Sequence, residues 1–242
     1  MSVSLNNQVA LVVGASSGIG RSAAMQLARE GVSVMAAARR RDRLQGLEAE
    51  LQSQGRRIAV SEADAAKPDD MHRVARETRE HFGKIDILVY ATGTNTPERS
   101  IQRLRTEIWD ELISVNLNGA YYVTEAVLPE MRRARSGYLI YVSSISGLAP
   151  DVSGAAYQAS KRGMVGLCHA IRVEERENGI RTCVVCPGLV NTEILEKRPV
   201  KPSEDVLAKA LQADDVAELI VSIAKLHPRV DIPEVQIVPT YI

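Results

Sequence analysis

Apolar positions along this chain recur in two rhythms. Short runs of nearly continuous apolar or small residues, at 9–13, 33–38, 57–61, 85–91, 138–142, 182–186 and 235–238, read as β-strands. Between them, at 19–30, 43–54, 69–82, 106–133, 156–178 and 214–226, apolar residues return every three to four positions, the period of an amphipathic helix. Strands alternating with helices predict an α/β fold built on a parallel sheet with helices on both faces. Strands without polar alternation are those covered on both sides, so the expectation is a doubly wound sheet of about seven strands.

Gly31, Gly55, Gly83 and Gly179 each follow a helical stretch at the place where a left-handed residue ends a helix. Residues 189–203 lack periodicity and contain Pro199 and Pro202, which marks an irregular segment. No repeat or low-complexity tract divides the chain, so residues 1–242 are expected to form one domain. Lys plus Arg and Asp plus Glu both number 30, and this zero net charge gives no sign of a nucleic-acid or anionic-membrane partner. With no start signal and no long apolar segment, the expected setting is soluble and cytoplasmic. Cys183 and Cys186 imitate a redox pair, but a three-residue step along a strand points to opposite faces, so buried, inert thiols are expected.

Two constellations carry chemistry. The first strand runs into Gly14-Ala15-Ser16-Ser17-Gly18-Ile19-Gly20 and then a helical pattern. In that context Gly14 allows a tight turn, Gly18 lets the backbone approach a pyrophosphate, and Gly20 permits close helix–strand contact, while the helix N-terminus offers free N–H groups. This is the cradle of a Rossmann-type dinucleotide-binding fold. The second constellation is Tyr157 with Lys161, one turn apart on a helical face, and Ser144 thirteen residues before the tyrosine. A phenol titrates near about 10, so a tyrosine used as acid and base needs a cation nearby, and Lys161 is placed to lie beside it and favour its ionised form.

With both constellations placed, the chain resembles the short-chain dehydrogenase/reductase family from about Gln8 to its end. The matching segments are VVGASSGIG at 12–20, AAARRRDRL at 36–44, EADA at 62–65, KIDILVYATG at 84–93, SVNLNGA at 114–120, YVSSISG at 141–147, YQASK at 157–161 and CPGLVNT at 186–192. The resemblance implies NADP or NADPH as cofactor, a small alcohol or carbonyl as substrate, and a homo-oligomer, a tetramer or dimer, as the assembly. It makes Tyr157 the general acid in reduction and the base in oxidation, and gives Lys161 a second task on the nicotinamide ribose. It selects Ser144 over Ser143 as the donor to the substrate oxygen, and makes Asn116 the holder of a water in a proton relay. On the cofactor side it implies contacts from Gly14, Ser16, Ser17, Gly18, Ile19, Gly20, Ala91 and Gly93, with Asp64 on the adenine. Pro187, Gly188, Val190 and Thr192 then belong to the nicotinamide end, and residues 189–203 to a lid.

The end of the second strand bears on the choice of dinucleotide. Where NAD enzymes place an acid for the ribose hydroxyls, this chain has Ala38 followed by Arg39, whose planar fork suits a 2′-phosphate, with Arg40 as an assistant. Arg41 and Arg43 read equally well as a solvated basic turn. The chain departs from the family at Val13, which replaces a threonine, at Tyr90-Ala91-Thr92-Gly93, where Asn-Asn-Ala-Gly is common, and at its ending PEVQIVPTYI. These departures leave a second reading open, a dinucleotide-binding sensor or scaffold without turnover. An epimerase or dehydratase would need an added substrate region for which this length leaves no room.

Overall fold

A computed structural model describes residues 3–241. Seven parallel strands form one sheet: β1 (Val9–Val13), β2 (Ser33–Ala38), β3 (Ile58–Glu62), β4 (Ile87–Tyr90), β5 (Gly137–Val142), β6 (Ile180–Pro187) and, after two short strands introduced below, β9 (Glu234–Ile237). They lie in the order β3-β2-β1-β4-β5-β6-β9. Helices α1 (Gly18–Arg29), α2 (Arg41–Ser53), α3 (Pro68–Phe82), α4 (Thr106–Ile113), α5 (Gly119–Ala134) and α6 (Ala155–Glu175) form the connections, followed by α7 (Glu204–Lys209) and α8 (Ala213–Ala224). The expected Rossmann-type doubly wound α/β sheet is the fold observed.

Alternation of side chains along each strand builds two cores. Ala10 and Val12 of β1 with Val34 and Ala36 of β2 face Leu27 of α1, Leu47 of α2 and Ile220 of α8. Leu11 and Val13, with Met35 and Leu88, face Met71 of α3, Val127 of α5 and Met164 of α6. Cys183 joins the first core and Cys186 the second, both fully buried, as their three-residue step predicts. Burial pushes the Cys186 thiol up to about 11, which keeps it protonated and inert.

Sheet order fixes where ligands can go. From β1 the chain winds outward through β2 and β3 on one side and through β4, β5, β6 and β9 on the other, so a crevice opens at the carboxyl ends of β1 and β4. Turns at the opposite edge are tight: Gly31, Gly55, Gly83 and Gly179 adopt φ of 85°, 70°, 85° and 73°, the left-handed region expected of helix-stop glycines.

β1 and β2 have the bounds expected from the sequence, and the ends of the other strands differ by at most two residues. β4 starts at Ile87 because Asp86 turns its carboxylate onto the Val9 N–H at 2.7 Å. The helix expected over 106–133 is interrupted by a π-helical turn, Ser114–Asn118, between α4 and α5. The stretch 189–203 is partly ordered: β7 (Val190–Asn191) pairs with β8 (Leu211–Gln212), and Glu193–Lys197 forms a 3-10 turn. Among the described residues no helix is long and apolar enough to cross a membrane.

Candidate active site

The glycine turn links β1 to α1 at the crevice. Gly14 adopts φ +94° and Gly18 +53°, conformations that disfavour a side chain. A Cβ on Gly14 would come within 2.7 Å of the Thr92 backbone nitrogen, and one on Gly20 would strike the Gly14 carbonyl. The loop and the start of α1 are therefore pressed together with no space for substituents. The N-cap residue Ser17 makes no side-chain capping bond, which leaves the first-turn N–H groups of α1 open to a phosphate. An anion-binding cradle of this shape fits a dinucleotide pyrophosphate.

From this cradle a cleft of about 510 Å³ runs across the sheet edge. Its wall includes Gly14, Ser16, Ser17, Gly18, Ile19, Arg39, Arg40, Asp64, Ala91 and Gly93 at one end, and Ser144, Tyr157, Lys161, Pro187, Gly188, Val190 and Thr192 toward the other. Of the residues read from the sequence, Gly20 and Asn116 lie behind this surface.

Tyr157 and Lys161 project from the first turns of α6, and Ser144 from the end of β5. Lys161 is 3% exposed, and its Nζ donates to the Val142 carbonyl at 2.9 Å. It sits 5.8 Å from the centroid of the Tyr157 ring, so the ammonium lies over the ring of the tyrosine. This modifies the sequence expectation. Burial pushes the Tyr157 phenol up, and so does the Asp151 charge, while the Ser144 hydroxyl and the charges of Arg99 and Arg198 pull it down; the net shift is upward. Burial pushes Lys161 itself down to about 8, into the range where it exchanges protons near neutral pH. Ser143 and Ser144 are separated by their partners. Both line the cleft, but the Ser143 hydroxyl is buried and donates to the Lys161 carbonyl at 2.9 Å, whereas Ser144 Oγ accepts from the Ser146 N–H at 3.1 Å.

Asn116 sits in the π-helical turn, fully buried. Its Oδ1 accepts from the Thr94 N–H at 2.8 Å, and its Nδ2 donates to the Thr94 carbonyl and to Ser160 Oγ, both at 3.0 Å. The side chain read as a water holder is thus occupied in tying the loop after β4 to α6. Tyr90, one of the departures from the family pattern, is also structural: its hydroxyl donates at 2.5 Å to the Val115 carbonyl inside the same turn.

At the end of the cleft beside β2 and β3, Asp64 Oδ1 accepts from the Ala66 N–H at 3.1 Å, an Asx turn that holds the carboxylate on the cleft wall. Arg40 donates to Ser16 Oγ at 3.1 and 3.0 Å, to Ser17 Oγ at 2.6 Å and to Glu193 at 2.7 Å. Arg43, which the sequence left as a solvated turn, also pairs with Glu193, and the two arginines hold that carboxyl below its usual range. Arg40 is therefore occupied by the glycine loop, while Arg39 is exposed beside Ala38 on the cleft wall.

The short chain dehydrogenase family model matches residues 8–202. The chain belongs to the short-chain dehydrogenase family. This is a family of oxidoreductases that use a nicotinamide dinucleotide. An uncharacterized oxidoreductase of Staphylococcus saprophyticus is 33% identical over 239 residues, 98% of this chain and 99% of that protein. A solved alcohol dehydrogenase from the archaeon Thermococcus sibiricus, complexed with 5-hydroxy-NADP, is similar with a TM-score of 0.87 at 29% identity, over 97% of each chain. A metagenomic short-chain oxidoreductase solved with NADP gives 0.85 at 31% identity, over 99% of this chain and 100% of that one.

Within this short-chain dehydrogenase cleft, Ser146, from the YVSSISG segment, forms with Ser153 and Asp151 a hydrogen-bonded group beside Ser144, and Arg198 enters from residues 189–203.

Proposed function

We propose that this chain is an NADP-dependent dehydrogenase/reductase that interconverts a secondary alcohol, or a hydroxy acid, and the corresponding carbonyl. One observation carries the reading: Ser144, Tyr157 and Lys161 line the same cleft as a glycine cradle fitted to a dinucleotide. The bound nicotinamide supplies or accepts the hydride. In reduction, Tyr157 gives its phenolic proton to the substrate oxygen, and Ser144 donates a hydrogen bond to the charge that develops there. Lys161, poised near neutral pH, refills the phenol by proton exchange and reaches the cofactor ribose from its place beside Gly93, where a Cβ would lie 3.3 Å from its Nζ. Asn116 keeps that geometry by clamping Thr94 and Ser160. Arg39, beside Ala38, takes the 2′-phosphate, Asp64 the adenine, and the segment from Pro187 to Thr192 the carboxamide. A homotetramer is the assembly proposed with this activity.

The catalytic assignment is tested with Tyr157→Phe, followed by NADPH absorbance on a panel of carbonyls and alcohols. Turnover should fall by about 10²–10⁴-fold with NADPH binding retained, the range for a lost general acid–base. A variant that binds NADPH and turns over at the native rate would favour the sensor reading, in which the same fold binds dinucleotide without using this tyrosine.

A further inference from the structure

The substrate end of the cleft carries more positive charge than the protein neutralises. Arg99, Lys197 and Arg198 line it against one carboxylate free of an ion pair, Asp151, whose charge offsets part of that of Arg99. Asp151 accepts from the Ser153 N–H at 2.8 Å through one oxygen and from the Ser146 and Ser153 hydroxyls through the other. Glu193 is held between Arg40 and Arg43. Lys197 Nζ donates to Thr94 Oγ1 at 2.6 Å, a neutral partner.

The two arginines are fixed in place without a counterion. Arg99 Nε donates to the Thr96 carbonyl at 2.9 Å and Nη2 to the Lys197 carbonyl at 3.2 Å. Gly154, three residues before Tyr157, lies directly against it: a Cβ there would come 2.8 Å from Arg99 Cβ. Arg198 is half-buried; its backbone N–H closes the preceding turn on the Leu195 carbonyl at 3.0 Å, while its guanidinium has no protein partner among the described residues. Burial and then the charge of Arg198 lower Arg99, with Asp151 opposing, and both arginines pull down the Tyr157 phenol against burial and Asp151. Two half-buried like charges beside the catalytic group are unfavourable in a folded chain unless an anion joins them.

We propose that Arg99 and Arg198 are the receptor for a carboxylate on the substrate, so that the enzyme acts on oxo acids and their hydroxy-acid counterparts rather than on neutral ketones. Arginine is suited to this because its planar fork meets a carboxylate with two parallel hydrogen bonds. The carbonyl then lies toward Ser144 and Tyr157, with the carboxylate toward the lid. This rests on the oxidoreductase reading above and names its substrate class.

The test compares 2-, 3- and 4-oxo acids with their methyl esters, each pair differing in one charge. In the native enzyme with NADPH, at least one acid should exceed its ester in kcat/KM. In Arg99→Met and Arg198→Met the acid-to-ester ratio should fall by about tenfold or more, the size of one lost charge-assisted hydrogen bond. Calorimetric binding of the same pairs to Tyr157→Phe loaded with NADPH separates recognition from turnover. Preference for the acid there, lost on adding Arg198→Met, supports the receptor even if no compound is reduced, in which case the oxidoreductase reading fails and the anion site stands. Equal binding of acid and ester, no binding of any acid, or arginine variants that weaken NADPH while leaving the ratio unchanged, overturn the proposal.

Discussion

Burying the Lys161 ammonium at 3% exposure with a carbonyl as its acceptor opposes folding, and its depression from 10.5 to about 8 measures that opposition. At about 1.4 kcal/mol per unit, the shift corresponds to on the order of 3 kcal/mol. The unfolded chain binds this proton more tightly, so the penalty is complete below pH about 8 and disappears as pH rises toward 10.5. Cofactor-free Lys161→Met should therefore resist urea better than the native protein at pH 7, with the gap closing between pH 8 and 10; a constant gap would show that the lysine is not depressed. At the other end of the cleft, Ala38 and Arg39 are the residues proposed to set cofactor choice. One charge-assisted contact contributes roughly 1.5–3 kcal/mol, so NADPH should bind tens to about a hundredfold tighter than NADH. Ala38→Asp with Arg39→Ala should reverse that order in a titration of both nucleotides, by adding repulsion and removing attraction.

Elements were legible wherever one periodicity ran uninterrupted. The seven sheet strands were anticipated, most plainly β1, where Val9–Val13 are apolar at every position as a strand covered on both faces requires; β3 (IAVSE) and β9 (EVQI) carry polar residues toward the sheet edges. The π-helical turn at Ser114–Asn118 was not, since adding one residue to a turn leaves the apolar pattern of α4 and α5 almost unchanged. What marks it in space is a pair of distant groups, Tyr90 on the Val115 carbonyl and Asn116 on Thr94, and no local pattern encodes either. The catalytic candidates could be read because Tyr157 and Lys161 share one helix face; the meeting of Arg99 with Arg198 could not, because 98 residues of chain lie between them and only the fold brings them to one cleft. The turn offers its own test. Tyr90→Phe removes the hydrogen bond to Val115 and should lower stability by about 1 kcal/mol, read as a drop in Tm, while raising KM for NADPH through the loosened Thr94 loop. An unchanged Tm would mean that the turn holds without the phenol.

At the scale of the whole molecule, α4, α5 and α6 present large apolar side chains to solvent. Trp109 is 37% exposed, Tyr121 52% and Val173 60%, although the buried faces of α5 and α6 already cover the sheet and α4 packs on α6. Such surfaces are commonly closed by symmetric association. Light scattering at micromolar concentration should give a tetramer mass, and Tyr121→Glu should dissociate it; a monomer in the native protein would sink the assembly. Finally, the segment from Glu193 to Arg198 touches both ends of the cleft. Its first residue is clasped by Arg40, which also grips Ser16 and Ser17, and its last belongs to the substrate mouth. A single short span that reaches both proposed ligand sites gives them a means of coupling, and any such coupling is reciprocal: whatever factor the dinucleotide adds to substrate binding, the substrate must return to the dinucleotide.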